Sequence, residues 1–278
     1  MTQTAPTYPL AGSKTEHERL TRQAALLEAM TERLLRDAGL EAGMRVLDVG
    51  SGVGDVAFLA AELVGRHGSV VGIDIDGHAL DAARQRAELL GLRNVTFIEG
   101  DVHSAALDGA FDAAIGRLVL AYVDDPAVAL RAIARRVRPG GVLAFQELDL
   151  DPGVHAWSLP EGTLWDQTGR RVIETFARAG TQLRMGRQLF AAFLAAGLPA
   201  PVMHEEALVG GGADFAGYAW LADVARSLAP LMRKLGVASA EELSLATLAA
   251  RIREDAVARG AVVWSPPLIG AHARRTQR

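Results

Sequence analysis

Val46-Leu47-Asp48-Val49-Gly50-Ser51-Gly52-Val53-Gly54-Asp55 decides how this chain folds: a short apolar run breaks into a turn holding three glycines, and a helical pattern starts at once behind it. Glycines at such a turn let the backbone take left-handed angles and approach a ligand closely. The same alternation continues downstream. Short β-branched runs fall at 45–49, 69–73, 95–99, 111–115 and 142–146, with helical patterns between them at 56–64, 78–90 and 126–137. Strand, helix, strand repeated in this way means parallel strands joined by crossover helices, a doubly wound Rossmann-like α/β sheet.

Upstream of the turn, Leu20, Ala24, Leu27, Met30, Leu34 and Leu35 recur mostly at three- and four-residue intervals, which predicts an amphipathic helix over 15–38. Downstream of residue 150 the rhythm changes to helices at 162–179 and 187–196, a strand at 202–209, helices at 213–235 and 240–259, and a closing strand from 261. If these last two strands pair antiparallel at the sheet edge, the whole is a mostly parallel seven-stranded sheet in one structural domain. Its expected parts are a helical cover at 1–43, a ligand-binding core at 44–150, and a carboxyl-terminal part at 151–278 whose helices form a lid. The carboxyl ends of the parallel strands are where ligands sit in such sheets.

Composition excludes several classes of function. The 278 residues carry 29 Lys and Arg against 33 Asp and Glu, a formal charge of −4, and half of them are hydrophobic. That mixture fills a core and still dissolves, unlike a disordered or fibrous chain. No basic stripe points to nucleic acid. The longest uncharged apolar stretch, 189–203, contains Gly197, Pro199 and Pro201 and falls short of the roughly 18 residues of a spanning helix, so no membrane partner is expected. Cysteine is absent and the opening MTQTAPTYPLAGSK has no apolar signal region, which together give a cytoplasmic expectation. Arg274, Arg275 and Arg278 read as a solvated tail.

The residues around the turn narrow the ligand. The second run ends in Asp74, where a carboxylate can accept hydrogen bonds from ribose hydroxyls, so a nucleoside cofactor is implied. A dinucleotide fingerprint spaces its glycines G-x-G-x-x-G, but here the third comes one residue early, at Gly54. Asp48 and Asp55 flank the turn and would repel a pyrophosphate. A ligand without phosphates, carrying an amino group and a sulfonium, suits it better.

From here on the sequence resembles the class I S-adenosylmethionine-dependent methyltransferases of the small-molecule type, in register from about residue 44 to 149. The turn matches their first motif, which implies S-adenosylmethionine as cofactor and contacts from Gly50, Ser51, Gly52 and Gly54. Asp74, with Ile75 beside it, is similar to their ribose-holding acid. Gly100-Asp101-Val102 resembles the segment whose Asp101 carboxylate and Val102 amide read the adenine. Phe111-Asp112-Ala113-Ala114-Ile115-Gly116-Arg117 looks like the fourth strand and its exit beside the methionine end, and Arg138-Pro139-Gly140-Gly141 resembles the turn before the fifth strand. Arg117 either reaches a carboxylate of cofactor or substrate or pairs with Asp124 or Asp125. Arg19 and Gln23 either touch the methionine part from a covering helix or lie on a solvated helix face, and Tyr8 either closes over the adenosine or packs.

In-line displacement at a sulfonium carbon asks the protein mainly for positioning and desolvation. If the acceptor is a hydroxyl, Glu147 and then His155 are the candidates for a general base. Asp149, Asp151 and His204 lie on the same predicted side. The acidic run Glu147, Asp149 and Asp151 is the nearest approach to a metal site, but Pro152 and Gly153 turn the chain away, so no metal is expected. The loop after the fourth strand reads Gly116-Arg117-Leu118-Val119, unlike the [DN]PP[YF] loop of nucleobase methyltransferases. Ser265-Pro266-Pro267 reads as an edge-strand irregularity. Trp157, Trp165, Phe176, Phe215, Tyr218 and Trp220, beyond the core, suit a small apolar or aromatic acceptor. The alternatives are a protein that holds S-adenosylmethionine without transferring its methyl, and a nicotinamide-dependent oxidoreductase.

Overall fold

The β-branched runs of the first half become parallel strands, and the segments between them become the helices that cover both faces. The computed structural model describes residues 14–102, 107–151 and 157–276. In chain order, α1 (Lys14–Asp37) leads to β1 (Arg45–Val49), α2 (Asp55–Val64), β2 (Ser69–Asp74), α3 (Gly77–Leu89), β3 (Val95–Glu99) and β4 (Phe111–Arg117). A 3-10 turn at Leu120–Tyr122 precedes α4 (Pro126–Arg136) and β5 (Val137–Leu148). Then follow β6 (Ser158–Leu159), α5 (Leu164–Arg178), α6 (Met185–Ala195), β7 (Val202–Glu206), β8 (Val209–Gly211) and α7 (Gly217–Lys234). The chain continues through α8 (Ala240–Leu243), α9 (Leu248–Ala258), β9 (Val262–Trp264) and β10 (Leu268–Arg274).

Two compact units result. The larger takes residues 27–147, 185–205 and 269–276; the other takes 14–26, 206–268 and the described part of 148–184. In the larger unit the strand order is β3-β2-β1-β4-β5-β10-β7, and β3, β2, β1, β4 and β5 pair in parallel. Side chains alternate across a strand, so β1 sends Leu47 and Val49 into a core with Leu130 and Ile133 of α4 and Leu189 and Phe193 of α6. Val46 faces the other way, against Leu34 and Leu35 of α1 and Ala57, Ala60 and Val64 of α2. Asp76 and Asp125 each accept two backbone N–H bonds at the starts of α3 and α4, caps worth about 1 kcal/mol apiece.

In the second unit α5, α7 and α9 share a core built on Trp165, Val172, Leu221, Leu228 and Ile252. A small sheet of order β6-β9-β8 joins it, antiparallel at both pairings. Its corner is tied by Asp166, fully buried, which accepts from Trp157 N (2.7 Å), Ser158 Oγ (2.5 Å) and Gly162 N (2.8 Å). Trp165 meets Phe215, Tyr218 and Trp220 with ring centroids 6.2, 6.2 and 6.4 Å away.

The carboxyl-terminal third departs from the sequence expectation at five places. The strand starting near 261 is β9, and it belongs to the small sheet; the large sheet is completed by β10. Arg274 and Arg275 are therefore not a solvated tail. Gly140 N donates to Arg275 O (2.9 Å) and Arg275 N to Gly141 O (2.8 Å), while at the other end Asp149 N donates to Pro267 O (2.9 Å), an antiparallel arrangement. The Arg275 guanidinium bonds the Val137 carbonyl, and Arg278 lies outside the described residues. The run at 202–209 divides into β7 and the start of β8, and the helix expected over 240–259 breaks at Ser244, whose φ is +48°. Ser265, Pro266 and Pro267 link β9 to β10 instead of interrupting an edge strand, and Ser265 Oγ accepts from Leu208 N at 3.0 Å.

Candidate functional site

The strand order reverses at β1, which lies between β2 and β4, and crevices that take ligands open at the carboxyl end of such a switch point. The glycine turn stands there. Gly50 N and Ser51 N both donate to Ile73 O (2.8 and 3.1 Å), which ties the turn to the end of β2. Gly50 has φ +69°, and a Cβ on it would stand 2.6 Å from Val119 Cγ2, so no other residue fits without strain. Gly52 differs: its φ is +51°, yet nothing lies within 4 Å of where its Cβ would project. The turn thus presents open space to a ligand at the position where only glycine leaves it free.

Asp74 knits the site together. Its Oδ2 accepts from Gly52 N (2.8 Å) and its Oδ1 from Asp76 N (2.9 Å), while its carbonyl accepts from Gly100 N (2.9 Å). Burial raises its carboxyl above the ordinary value, and the Asp76 and Gly52 amides oppose that rise. Ile75 beside it is 70% exposed, an apolar side chain with nothing packed over it. Through the Gly100 bond the chain brings Asp101 and Val102 next to Asp74; Asp101 is exposed and Val102 packs partly into the core.

Asp48 is the least satisfied group of the site. It is 1% exposed, and neither carboxylate oxygen has a hydrogen-bond partner among the described residues. Burial pushes its carboxyl up to about 8, with Arg117 and the Ala57 amide opposing and Asp74 and Asp55 reinforcing the rise. Asp55, the second acid of the turn, is already paired: Arg86 bonds it at 2.7 Å and the Val53 carbonyl at 2.7 Å. The buried Ser51 Oγ is also without a partner. A carboxyl desolvated in this way keeps its proton at neutral pH unless a cation stands near it.

The other predicted residues divide. Arg117 ends β4 on the same face of the sheet as Asp48 and bonds Thr31 Oγ1 at 2.9 Å, whereas Asp125 is spent on capping α4, so the ion pair with Asp124 or Asp125 does not form. Burial lowers the proton affinity of Arg117. Arg19 and Gln23 belong to the second unit, where both are buried: Arg19 Nη1 donates to Gln23 Oε1 (2.7 Å), which also accepts from Trp220 Nε1 (3.1 Å). They are not a solvated helix face. Glu147 lies inside β5, fully buried, and its Oε1 accepts from Val119 N (2.9 Å) and Leu120 N (2.7 Å). Burial lifts its carboxyl to about 7 although those amides oppose the rise. His155 and Tyr8 lie outside the described residues. Asp151 pairs with Arg184 at 3.1 Å, and among the described residues no group of three or more His, Asp or Glu side chains is placed to hold a metal ion.

The family model described as a methyltransferase domain matches residues 40–180, just over half of the chain. The chain belongs to the class I S-adenosylmethionine-dependent methyltransferases. Among its curated relatives in this family, an arsenite methyltransferase of Aquipseudomonas alcaligenes is 36% identical over 39% of this chain and 34% of its own length. The aklanonic acid methyltransferase DauC of a Streptomyces species is 34% identical over 48% of this chain and 61% of its own. The chain therefore spans less than two thirds of either. The crystal structure of the YcgJ protein from Bacillus subtilis shares the fold at a TM-score of 0.60, with 17% identity over 90% of this chain and 100% of that one.

S-adenosylmethionine is the cofactor of this methyltransferase family, and the residues present fit it. The unpartnered Asp48 oxygens could accept from an ammonium, the space over Gly52 is open, and the uncovered Ile75 next to Asp74 leaves an apolar surface beside a carboxylate. Two groups of the site escape a sequence reading. Thr31 and Gln146 are both buried, and Thr31 Oγ1 lies 2.9 Å from Gln146 Oε1. Thr31 sits on the apolar stripe of α1, four residues after Leu27 and three before Leu34, and a lone polar residue there was the one available sign. Among the described residues no helix is long and apolar enough to cross a membrane.

Proposed function

We propose that this chain transfers the methyl group of S-adenosylmethionine to a small-molecule acceptor. The observation that carries the reading is Asp48: a carboxylate buried at the switch point with both oxygens unmet, next to a glycine turn that cannot tolerate side chains. When bound, the cofactor supplies a methyl carbon that an acceptor lone pair takes in line as the S–C electrons return to sulfur. The chain's own work is to hold and to desolvate. Asp74 accepts from the ribose hydroxyls, Ile75 covers the adenine together with Val102, and Asp101 meets the adenine edge. Asp48 and Ser51 face the ammonium. Glu147 serves the Val119–Leu120 turn in this reading, its Oε1 accepting from both amides.

The relatives named above act on arsenite and on aklanonic acid, which supports a small acceptor. An apolar or aromatic body for it is favoured by the second unit, where the Tyr218 hydroxyl is buried without a partner among Trp165, Phe215 and Trp220. A hydroxyl in that position hydrogen-bonds a polar atom carried on an aromatic ligand.

Calorimetric titration tests the reading, with S-adenosylmethionine and S-adenosylhomocysteine as ligands and NADH as control. The expected result is binding of both nucleosides and not of NADH, with at least about tenfold weaker binding in Asp74→Ala, which removes a charged acceptor. Binding of NADH alone overturns it. Tight nucleoside binding with no turnover across a screen of small aromatic and apolar acceptors favours a protein that holds the cofactor without using its methyl.

A further inference from the structure

Arg117 and Gln146, on the same face of the large sheet as Asp48, have no place in the reading so far. Arg117 and Gln146 are direct partners across β4 and β5, while Asp48 pairs with Ile115 two residues earlier on β4, so the alternation of strand side chains puts all three on the face that α1 covers. A guanidinium has five N–H donors. Among the described residues the Arg117 guanidinium hydrogen-bonds only to Thr31 Oγ1, at 2.9 Å. It forms no salt bridge with a described residue, although Asp48, Asp55 and Glu28 all act on it through their charge. Thr31 Oγ1 in turn donates within reach of Gln146 Oε1 (2.9 Å) and of Leu27 O (3.1 Å). That leaves Gln146 Nε2, on a fully buried side chain, with no partner.

The site therefore holds a buried acid whose oxygens lack hydrogen-bond partners among the described residues and, on the same face, the buried Gln146 Nε2 without a partner and a half-buried guanidinium with most of its donors unused. Asp48 and Arg117 act on each other through their charges but form no salt bridge among the described residues, an arrangement that suits a ligand carrying both an ammonium and a carboxylate.

We propose that Thr31 and Gln146 position Arg117 against the carboxylate of a bound α-amino acid group whose ammonium faces Asp48, so that this cluster reads the amino acid end of the ligand independently of its nucleoside. The proposal rests on the cofactor reading above and adds two residues to it. Thr31 acts through Arg117: its hydroxyl accepts from the guanidinium and fixes the amide of Gln146 by donating to Oε1, which turns Nε2 outward as a second donor.

The test compares two ligands that share the adenosine and differ in the amino acid end, S-adenosylhomocysteine and 5′-methylthioadenosine, titrated into wild type, Thr31→Val and Thr31→Ser. The expected result is a wild type that prefers S-adenosylhomocysteine, a Thr31→Val that binds it about tenfold more weakly while 5′-methylthioadenosine changes less than about twofold, and a Thr31→Ser that restores the preference. Gln146→Leu should act in the same direction on the same ligand alone. Equal weakening of both ligands in Thr31→Val assigns the residue to folding and overturns the proposal, as does an unchanged preference. A wild type that binds both nucleosides equally overturns this proposal and leaves the cofactor reading standing. A wild type that binds neither overturns both.

Discussion

Asp48 and Asp166 are both carboxylates buried to within a percent of complete exclusion, and they do opposite things. Asp166 is surrounded by donors: two backbone amides and a serine hydroxyl point at it, and Thr163 Oγ1 extends the knot by donating to Ser158 Oγ at 2.8 Å. Asp48 has nothing comparable: neither oxygen is hydrogen-bonded among the described residues, and a single backbone amide, that of Ala57, favours its charged form. A charge in the first setting is stabilised by what the chain itself supplies, and it fastens a corner of the second unit. A charge in the second has only the Arg117 charge and the Ala57 amide in its favour, and burial outweighs both. Burial alone therefore says little about what an acid does; the donors around it decide.

Removing the satisfied acid is expected to have the largest effect. Asp166→Ala strands two amides and a hydroxyl in a dry corner and should lower stability by about 3 kcal/mol or more, read as a drop in Tm, with nucleoside affinity of the folded fraction unchanged. A small change in Tm would break the contrast by showing that the knot stabilises nothing.

Asp48→Asn should go the other way, stabilising the ligand-free protein above neutral pH while weakening its affinity for S-adenosylhomocysteine. The sign follows from the carboxyl's rise from an ordinary 3.8 to about 8. Between those values the folded protein holds a proton that the unfolded chain has released, so stability from this group is greatest in acid and is lost as pH climbs toward 8. Asp48→Asn should flatten that decline between pH 5 and 8. Wild-type affinity should also rise with pH toward 8, as the ionised form is the one that meets a cation, and the rise should be absent in Asp48→Asn, where only the ligand's own ammonium titrates and loses its charge. Parallel pH profiles for the two proteins would remove Asp48 from the site.

Glu147 stands between the two extremes, with Oε1 satisfied and Oε2 not. Glu147→Gln keeps an acceptor for the Val119 and Leu120 amides, so the expectation is the smallest of the three: a loss of about 1 kcal/mol or less in stability and a methyl-transfer rate within about threefold of wild type. A rate that falls a hundredfold with stability intact would make Glu147 the base and place it beside Asp48.

What could be read in advance follows from how local each feature is. The turn from Gly50 to Gly54 and the strands that surround it announce themselves through adjacent residues, and so did Asp74 at the end of β2. The capping box of α8, Ser239 with Glu242, is equally local. By contrast β10 reads Leu268-Ile269-Gly270-Ala271-His272-Ala273-Arg274, too small and too basic at its end to look like a buried strand. Its small residues reflect close packing, for a Cβ on Gly270 would stand 2.8 Å from the His204 ring and 3.1 Å from Leu34. Thr31 and Gln146 meet across 115 positions, and Gln23 bonds a tryptophan 197 positions away. No pattern in either neighbourhood reveals a partner that distant.

The position of β10 also sets a schedule. It lies between β5 and β7 in the sheet, so β7, although translated well before it, has no neighbour on that side until the last strand emerges. At roughly 5–20 residues per second the ribosome leaves β7 waiting for several seconds with an open edge, the interval in which a strand is most exposed to the wrong pairing. During that interval the nascent core is a five-stranded parallel sheet already bearing its glycine turn, and the final strand is what brings β7 into it.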